Sequence, residues 1–288
     1  MVKATGLALG FAGMAVVLFL GISPSFAQSD VIKYRRIFEV EPDRKLRFEV
    51  DIDAADVTIA RNDIDDEISI FLLFTEEAFE YDFDYNERRN LLSMEFRKTN
   101  WIKSDSRDLK AEIEIRLPSA ARLDFYAKIK AGEVDMELGD LTFQRFETSI
   151  WAGEVNIDFN APNRIPMKWF ELRTKIGSTA IKRLGNARFR FAEINSGIGE
   201  LEIDFSGKME DDATARVDLD VGETRIFLPD EVGTKLYVRK FLFLSGIDLL
   251  GFEHYGGKMY LSENYDLVRK KIELHVRPGI GELSIRYR

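Results

Sequence analysis

An all-β fold, and within it a β-solenoid-like stack of two-strand coils, is expected from three features of the sequence. Aromatic residues make up 12% of the 288-residue chain, 22 of them phenylalanine, which suits flat, half-buried strand surfaces. Apolar and polar residues alternate over most of the chain, and a period of two sets one face of a strand against a core. A glycine motif also recurs, as AGEVDMEL at 131–138, AGEVNIDF at 152–159, IGSTAIKR at 176–183, IGELEIDF at 198–205, VGETRIFL at 221–228 and IGELSIRY at 280–287.

The first 27 residues differ from the rest. One lysine, Lys3, precedes an apolar run from about Leu7 to Ile22, then Pro24 and the small residues Ser25 and Ala27 around Phe26. This is the pattern of an export signal cleaved before Gln28; an uncleaved single-span anchor is the alternative, since the run approaches bilayer length. The chain has no cysteine, which excludes a disulfide framework, a thiolate metal site and a lipid-modified cysteine after the signal. An exported protein of the periplasm or cell surface follows, with no integral span once the signal is removed. The formal net charge of -9 argues against nucleic-acid binding.

Residues 28–118 form an N-terminal β region. KLRFEVDI, EISIFLLFT, FEYDFDY, LLSMEFRKT and AEIEIRLP all read as strands, and ADVTIARND is a degenerate early copy of the glycine strand. Residues 119–288 hold the repeats. Gly132, Gly153, Gly177, Gly199 and Gly222 are spaced by 21, 24, 22 and 23 residues, and Gly281 ends the series. A period near 22 accommodates two strands and their turns, one coil of a solenoid. The glycine is expected at the corner, where a positive φ or a close approach of the neighbouring coil excludes a side chain. Val134, Met136 and Leu138 after one glycine, and Phe170, Leu172, Thr174 and Ile176 or Ala215, Val217, Leu219 and Val221 before others, are expected to face inward. A barrel or sandwich with strands about every 10 residues is the competing architecture. The repeat is interrupted at 229–270, and 28–288 reads as one continuous domain.

The ordered series LRFEVDIDAADVTIARND, RLPSAARLDFYAKIKAGEVDMELGDL, SGIGELEIDFSGK, VDLDVGETRIFLPDEVG and RPGIGELSIRY resembles the toast-rack superfamily, the adhesin-type and LiaF-C-terminal-like domains of bacterial envelope proteins. The resemblance runs from about Lys45 to Tyr287. It implies a solenoid-like fold, an envelope location and, for some members, a link to envelope-stress signalling through attached membrane helices, which this chain lacks apart from its N-terminal segment. It supplies no catalytic motif.

The residues agree in offering little chemistry. Glu133, Glu154, Glu200, Glu223 and Glu282 follow their glycines, with Ser178 the exception; stacked, they would form an acidic stripe with like charges about 5 Å apart. No calcium-type loop accompanies them, so a solvated face is expected and no metal or other cofactor. His254 and His275 stand in unrelated contexts without H-E-x-x-H or G-x-S-x-G partners. Phe241, Phe243, Leu249, Leu250 and Phe252 concentrate apolar side chains outside the repeat in KFLFLSGIDLLGFEHY, either as a cap over the open end of the stack or as a docking loop. The leading reading is a noncatalytic structural or adhesin-like interaction module with an envelope protein or glycan as partner. The alternatives are an accessory domain in envelope-stress signalling and a carbohydrate-active enzyme with aromatic platforms at Trp151 or Trp169.

Overall fold

The protein was analysed as a computed structural model, which describes residues 31–42, 44–99, 109–239 and 246–288. Twenty strands are present among the described residues. The N-terminal group comprises β1 (Val31–Glu39), β2 (Lys45–Ile52), β3 (Asp56–Arg61), β4 (Glu67–Thr75), β5 (Phe79–Asn86), β6 (Leu91–Lys98) and β7 (Ala111–Leu117). The repeats supply β8 (Arg122–Ala131), β9 (Val134–Glu137), β10 (Phe143–Ala152), β11 (Val155–Asp158), β12 (Met167–Lys182), β13 (Phe189–Asp204) and β14 (Ala213–Leu228). The C-terminal group is β15 (Val232–Val238), β16 (Gly246–Leu249), β17 (Phe252–Gly256), β18 (Met259–Ser262), β19 (Lys270–Arg277) and β20 (Ile280–Tyr287).

These strands form rungs of two limbs each. The rungs stack in parallel in the order β6/β7, β2/β3, β8/β9, β10/β11, β12, β13, β14, β19/β20 and β15/β16. In β12, β13 and β14 one 16-residue strand runs through both limbs. The glycines align across rungs, Gly177 with Gly199, Gly199 with Gly222 and Gly222 with Gly281.

The order of the outer rungs departs from the order of the sequence, and one expectation needs correction. The segment 270–287 is not the outermost rung: β15 and β16, from within the interruption, lie beyond it, and the antiparallel β18 and β17 then pair onto β15. The N-terminal end mirrors this, because β2/β3 lies inside β6/β7. Here antiparallel strands extend the limbs, β5 on β6, and β4 then β1 on β7. The correction concerns Ile176 and Val221, which are exposed. Inward alternation holds through Phe170 and Leu172, and through Ala215, Val217 and Leu219, but the strand bends at the corner and turns two consecutive residues outward.

The core is a column of stacked side chains between the limbs. Phe48, Phe125, Phe146 and Phe170 occupy one register on the first limb, with ring centroids 5.6 Å apart for Phe125–Phe146 and 5.4 Å for Phe146–Phe170. All four are fully buried, and each contributes about 1.5–3 kcal/mol by leaving water. The column continues as Ala192 and Ala215, while Phe189 and Phe205 bring rings in from the return side. On that side the chain must come back from one rung to the next, and asparagines tie it down. Asn163, fully buried, accepts the Phe143 N–H and donates to the carbonyls of Phe143 and Ile165. Asn186 donates to the Phe159 carbonyl and accepts the Lys208 N–H. These bonds satisfy backbone groups that leave the ladders at each turn.

Candidate interaction surface

The corner is built from the glycine outward. Gly153, Gly177, Gly199, Gly222 and Gly281 have φ between +135° and +144° or, for Gly199, +146°, a region that residues with a side chain rarely enter. A Cβ on each would lie 1.8–1.9 Å from the carbonyl oxygen of the glycine one rung below, and on Gly132 it would meet the Ala55 carbonyl at 1.8 Å. Backbone stacks directly on backbone along the corner.

This geometry turns the residue before each glycine to the outside. Ile176, Ile198, Val221 and Ile280 are 59%, 54%, 40% and 45% exposed and stand in register on successive rungs. Ala131 and Ala152 continue the line toward the N-terminal end. Trp151 borders it, exposed, with the Lys175 ammonium 3.9 Å and the Lys130 ammonium 5.9 Å from its ring centroid, a cation–π arrangement. The result is an apolar ridge with one side chain about every 4.8 Å. Alternation alone assigns Ile176 and Val221 to the core; the signal that separates them is a parity change across each glycine. Inward residues are even-numbered before Gly177 (Phe170, Leu172) and odd-numbered after it (Thr179, Ile181), so two residues in between must face out.

The acids lie along one flank of the ridge. Glu200, Glu223 and Glu282 are in register on adjacent rungs, whereas Ser178 separates Glu200 from the upstream acids. Arg225 bonds both Glu223 oxygens at 2.5 and 2.6 Å and lies 3.9 Å from Glu202, and Asn156 bridges Asp135 and Glu154. Among the described residues no group of three or more potential ligands is arranged to hold a metal ion.

The remaining candidates are dispersed. Trp169 is half-buried and donates its indole N–H to Glu171. His275 on β19 stacks on Tyr237 at 4.8 Å and bonds Glu273, whereas His254 on β17 contacts the Gly257 carbonyl and Tyr260; the two have separate partners. Leu249 and Phe252 pack partly against the core, Phe252 with its ring 5.6 Å from Tyr287, but Leu250 is exposed because the chain turns there through Gly251 at φ +85°. Phe241 and Phe243 lie outside the described residues.

At the corner between β2 and β3 Ala55 stands opposite Gly132, and Asp53 lies two residues before it. Burial alone would raise its carboxyl, but hydrogen bonds from Lys130 and the Lys98 N–H, with the charge of Arg97, outweigh it and hold the group below its ordinary 3.8. Because the folded state binds the proton less tightly than the unfolded chain, Asp53 stabilises above about pH 4 and loses that contribution as pH falls through the lowered value. Asp53→Asn is therefore expected to flatten the acid limb of stability. Urea unfolding at pH 6 and pH 2.5 checks this: the wild type should be the more stable at pH 6, with the difference shrinking at pH 2.5.

A parallel stack with a glycine corner, ordered as the repeats are ordered, is the setting for the family match. Residues 27–169 match the family described as the N-terminal domain of toast_rack, DUF2154. The chain carries a toast-rack domain. Solved structures similar to this toast-rack chain include a candidate cell adhesion protein from Clostridium sporogenes, at 14% identity over 89% of this chain and 100% of that one with a TM-score of 0.44. A candidate adhesin from Bacteroides fragilis is 14% identical over 92% and 100% with a TM-score of 0.41. A candidate lipid-binding protein from Parabacteroides distasonis is 9% identical over 87% and 96% with a TM-score of 0.29. No curated protein matches the chain. No helix among the described residues of the toast-rack chain is long and apolar enough to cross a membrane.

Proposed function

We propose that this chain is a noncatalytic, exported interaction module of the bacterial envelope that engages its partner through the corner ridge. The observation that carries the reading is the register of Ile176, Ile198, Val221 and Ile280. Four large aliphatic side chains spend their apolar surface on water at positions where the fold asks only that the next residue be glycine. Contiguous exposed apolar surface of this kind marks interaction sites, and the acid flank adds a charge pattern that a basic or hydroxyl-rich partner fits. The export-signal pattern read in the first 27 residues supports the location, and the stacked limbs supply a stiff presenting surface.

The test uses labelled protein on envelope fragments and on an array of envelope glycans. Ile176→Ser with Ile198→Ser and Val221→Ser is expected to lower retention at least about tenfold, as loss of a central apolar patch does. Its melting temperature should stay within about 2 °C, because exposed substitutions cost little. Unchanged retention by the triple variant sinks the ridge as the binding surface, and release of a cleaved glycan product sinks the noncatalytic reading.

A further inference from the structure

The N-terminal end of the stack presents two long strand edges. Among the described residues β1 hydrogen-bonds only to β4 and β5 only to β6, leaving a nine-residue and an eight-residue edge with free backbone groups. Such edges are templates for pairing. At the other end, by contrast, the hairpin of β17 and β18 lies on β15.

The two edges carry opposite charge. The charged exposed side chains of β1 are Lys33, Arg35 and, at its end, Glu39, and those of β5 are Glu80, Asp82 and Asp84. None of the three acids of β5 forms an ion pair among the described residues. Between the edges lies a set of rings, half-buried except for the buried Phe38, with Tyr34 against Tyr81 at 4.7 Å and Phe38 against Phe83 and Tyr85 at 5.8 Å. Arg36, on the same side of β1 as those rings, has a buried Nε with no hydrogen-bond partner. The end is also stepped, because two strands extend the β7 limb and one extends the β6 limb.

We propose that the chain pairs end to end with a second copy of itself, the β1 edge of each copy lying along the β5 edge of the other. A two-fold axis across the end exchanges the limbs, so each overhanging β1 fills the step above the partner's β5. It brings basic edge to acidic edge twice, supplies acceptors to Arg36 and covers the rings. The contact is closed, since the same surface of both copies is used up, and it gives a dimer rather than a fibre. Charges on edge strands also keep monomers apart, and that role predicts the opposite outcome.

Sedimentation equilibrium of the purified protein decides between them. The wild type is expected to be a dimer at about 50 mM salt, weakened as added salt screens the edges. Lys33→Glu with Arg35→Glu makes both edges acidic, and Asp82→Lys with Asp84→Lys makes both basic. Each should raise the dimer dissociation constant about 100-fold. Mixed in equal amounts, the two variants should form a heterodimer. Asp82 and Asp84 have no side-chain partner among the described residues, so the β5 variant should fold as the wild type does, which its melting curve verifies. A wild type that stays monomeric at about 100 μM in low salt overturns the proposal, as does a dimer indifferent to both variants or a mixture that does not associate.

Discussion

Gly199→Ala is expected to prevent the stack from closing, at a cost of about 4 kcal/mol or more. The added methyl would sit 1.8 Å from the Gly177 carbonyl oxygen and 2.8 Å from its carbonyl carbon, both backbone atoms held by ladders on either side. No rotamer relieves the overlap, because Cβ has none. The rungs would have to separate, and that would break the parallel pairing of β12 with β13 in both limbs. Gly256→Ala provides the control. Gly256 has nearly the same φ, +141°, but nothing within 4 Å of the position a Cβ would take. It should lose only the conformational term, about 1–2 kcal/mol. Urea unfolding of both variants measures the difference, which isolates stacking from backbone strain. Equal losses at the two positions would show that the corner tolerates a wider rung spacing.

The second large effect is expected at Asn163. Asn163→Ala removes the acceptor of the Phe143 N–H and the donor to the Phe143 and Ile165 carbonyls at a site with no access to water. Leaving buried backbone groups unpaired costs about 1–3 kcal/mol each, and partial relaxation brings the expected total to about 3 kcal/mol. Asn163→Asp keeps the acceptor but loses both donated bonds and faces carbonyl oxygens with a carboxylate. It should be at least as destabilising at pH 7 and partly recover toward acid pH, where the protonated carboxyl can donate. An alanine variant within about 1 kcal/mol of wild type would mean that water has replaced the amide.

Much of this architecture is legible in the sequence because a stack repeats its local demands. The octapeptides around Gly132 and Gly153 are near-copies because their rungs meet the same neighbour at the same spacing, and their inward Val134, Met136, Val155 and Ile157 follow directly. The order of the outer rungs is not legible. The segments that join β6 to β7 and β15 to β16, residues 99–110 and 239–245, contain no glycine, so the repeat signal stops there. The strand character of β6, β7, β15 and β16 shows, but nothing local to LLSMEFRKT or VGTKLYV says which rung it adjoins. The ridge was hidden for another reason. Ile198 is aliphatic in an alternating strand, and burial is the ordinary inference for such a residue; only the change of parity across Gly199 reveals that two positions there must leave the core.

The inversion of order at the C-terminal end has a consequence for how the chain reaches its native state. β15 and β16 are made before β19 and β20, yet each is bonded to them in parallel and sits one rung farther out. When residues 232–249 are delivered ahead of the chain that follows them, the surface they must pair with does not yet exist, and the nearest exposed edge, that of β14, is the one reserved for β19 and β20. The growing stack can therefore propagate rung by rung only as far as β14. Its last two rungs close together, by contacts between distant segments, in a step whose loop-closure entropy makes it slow compared with the zippering before it.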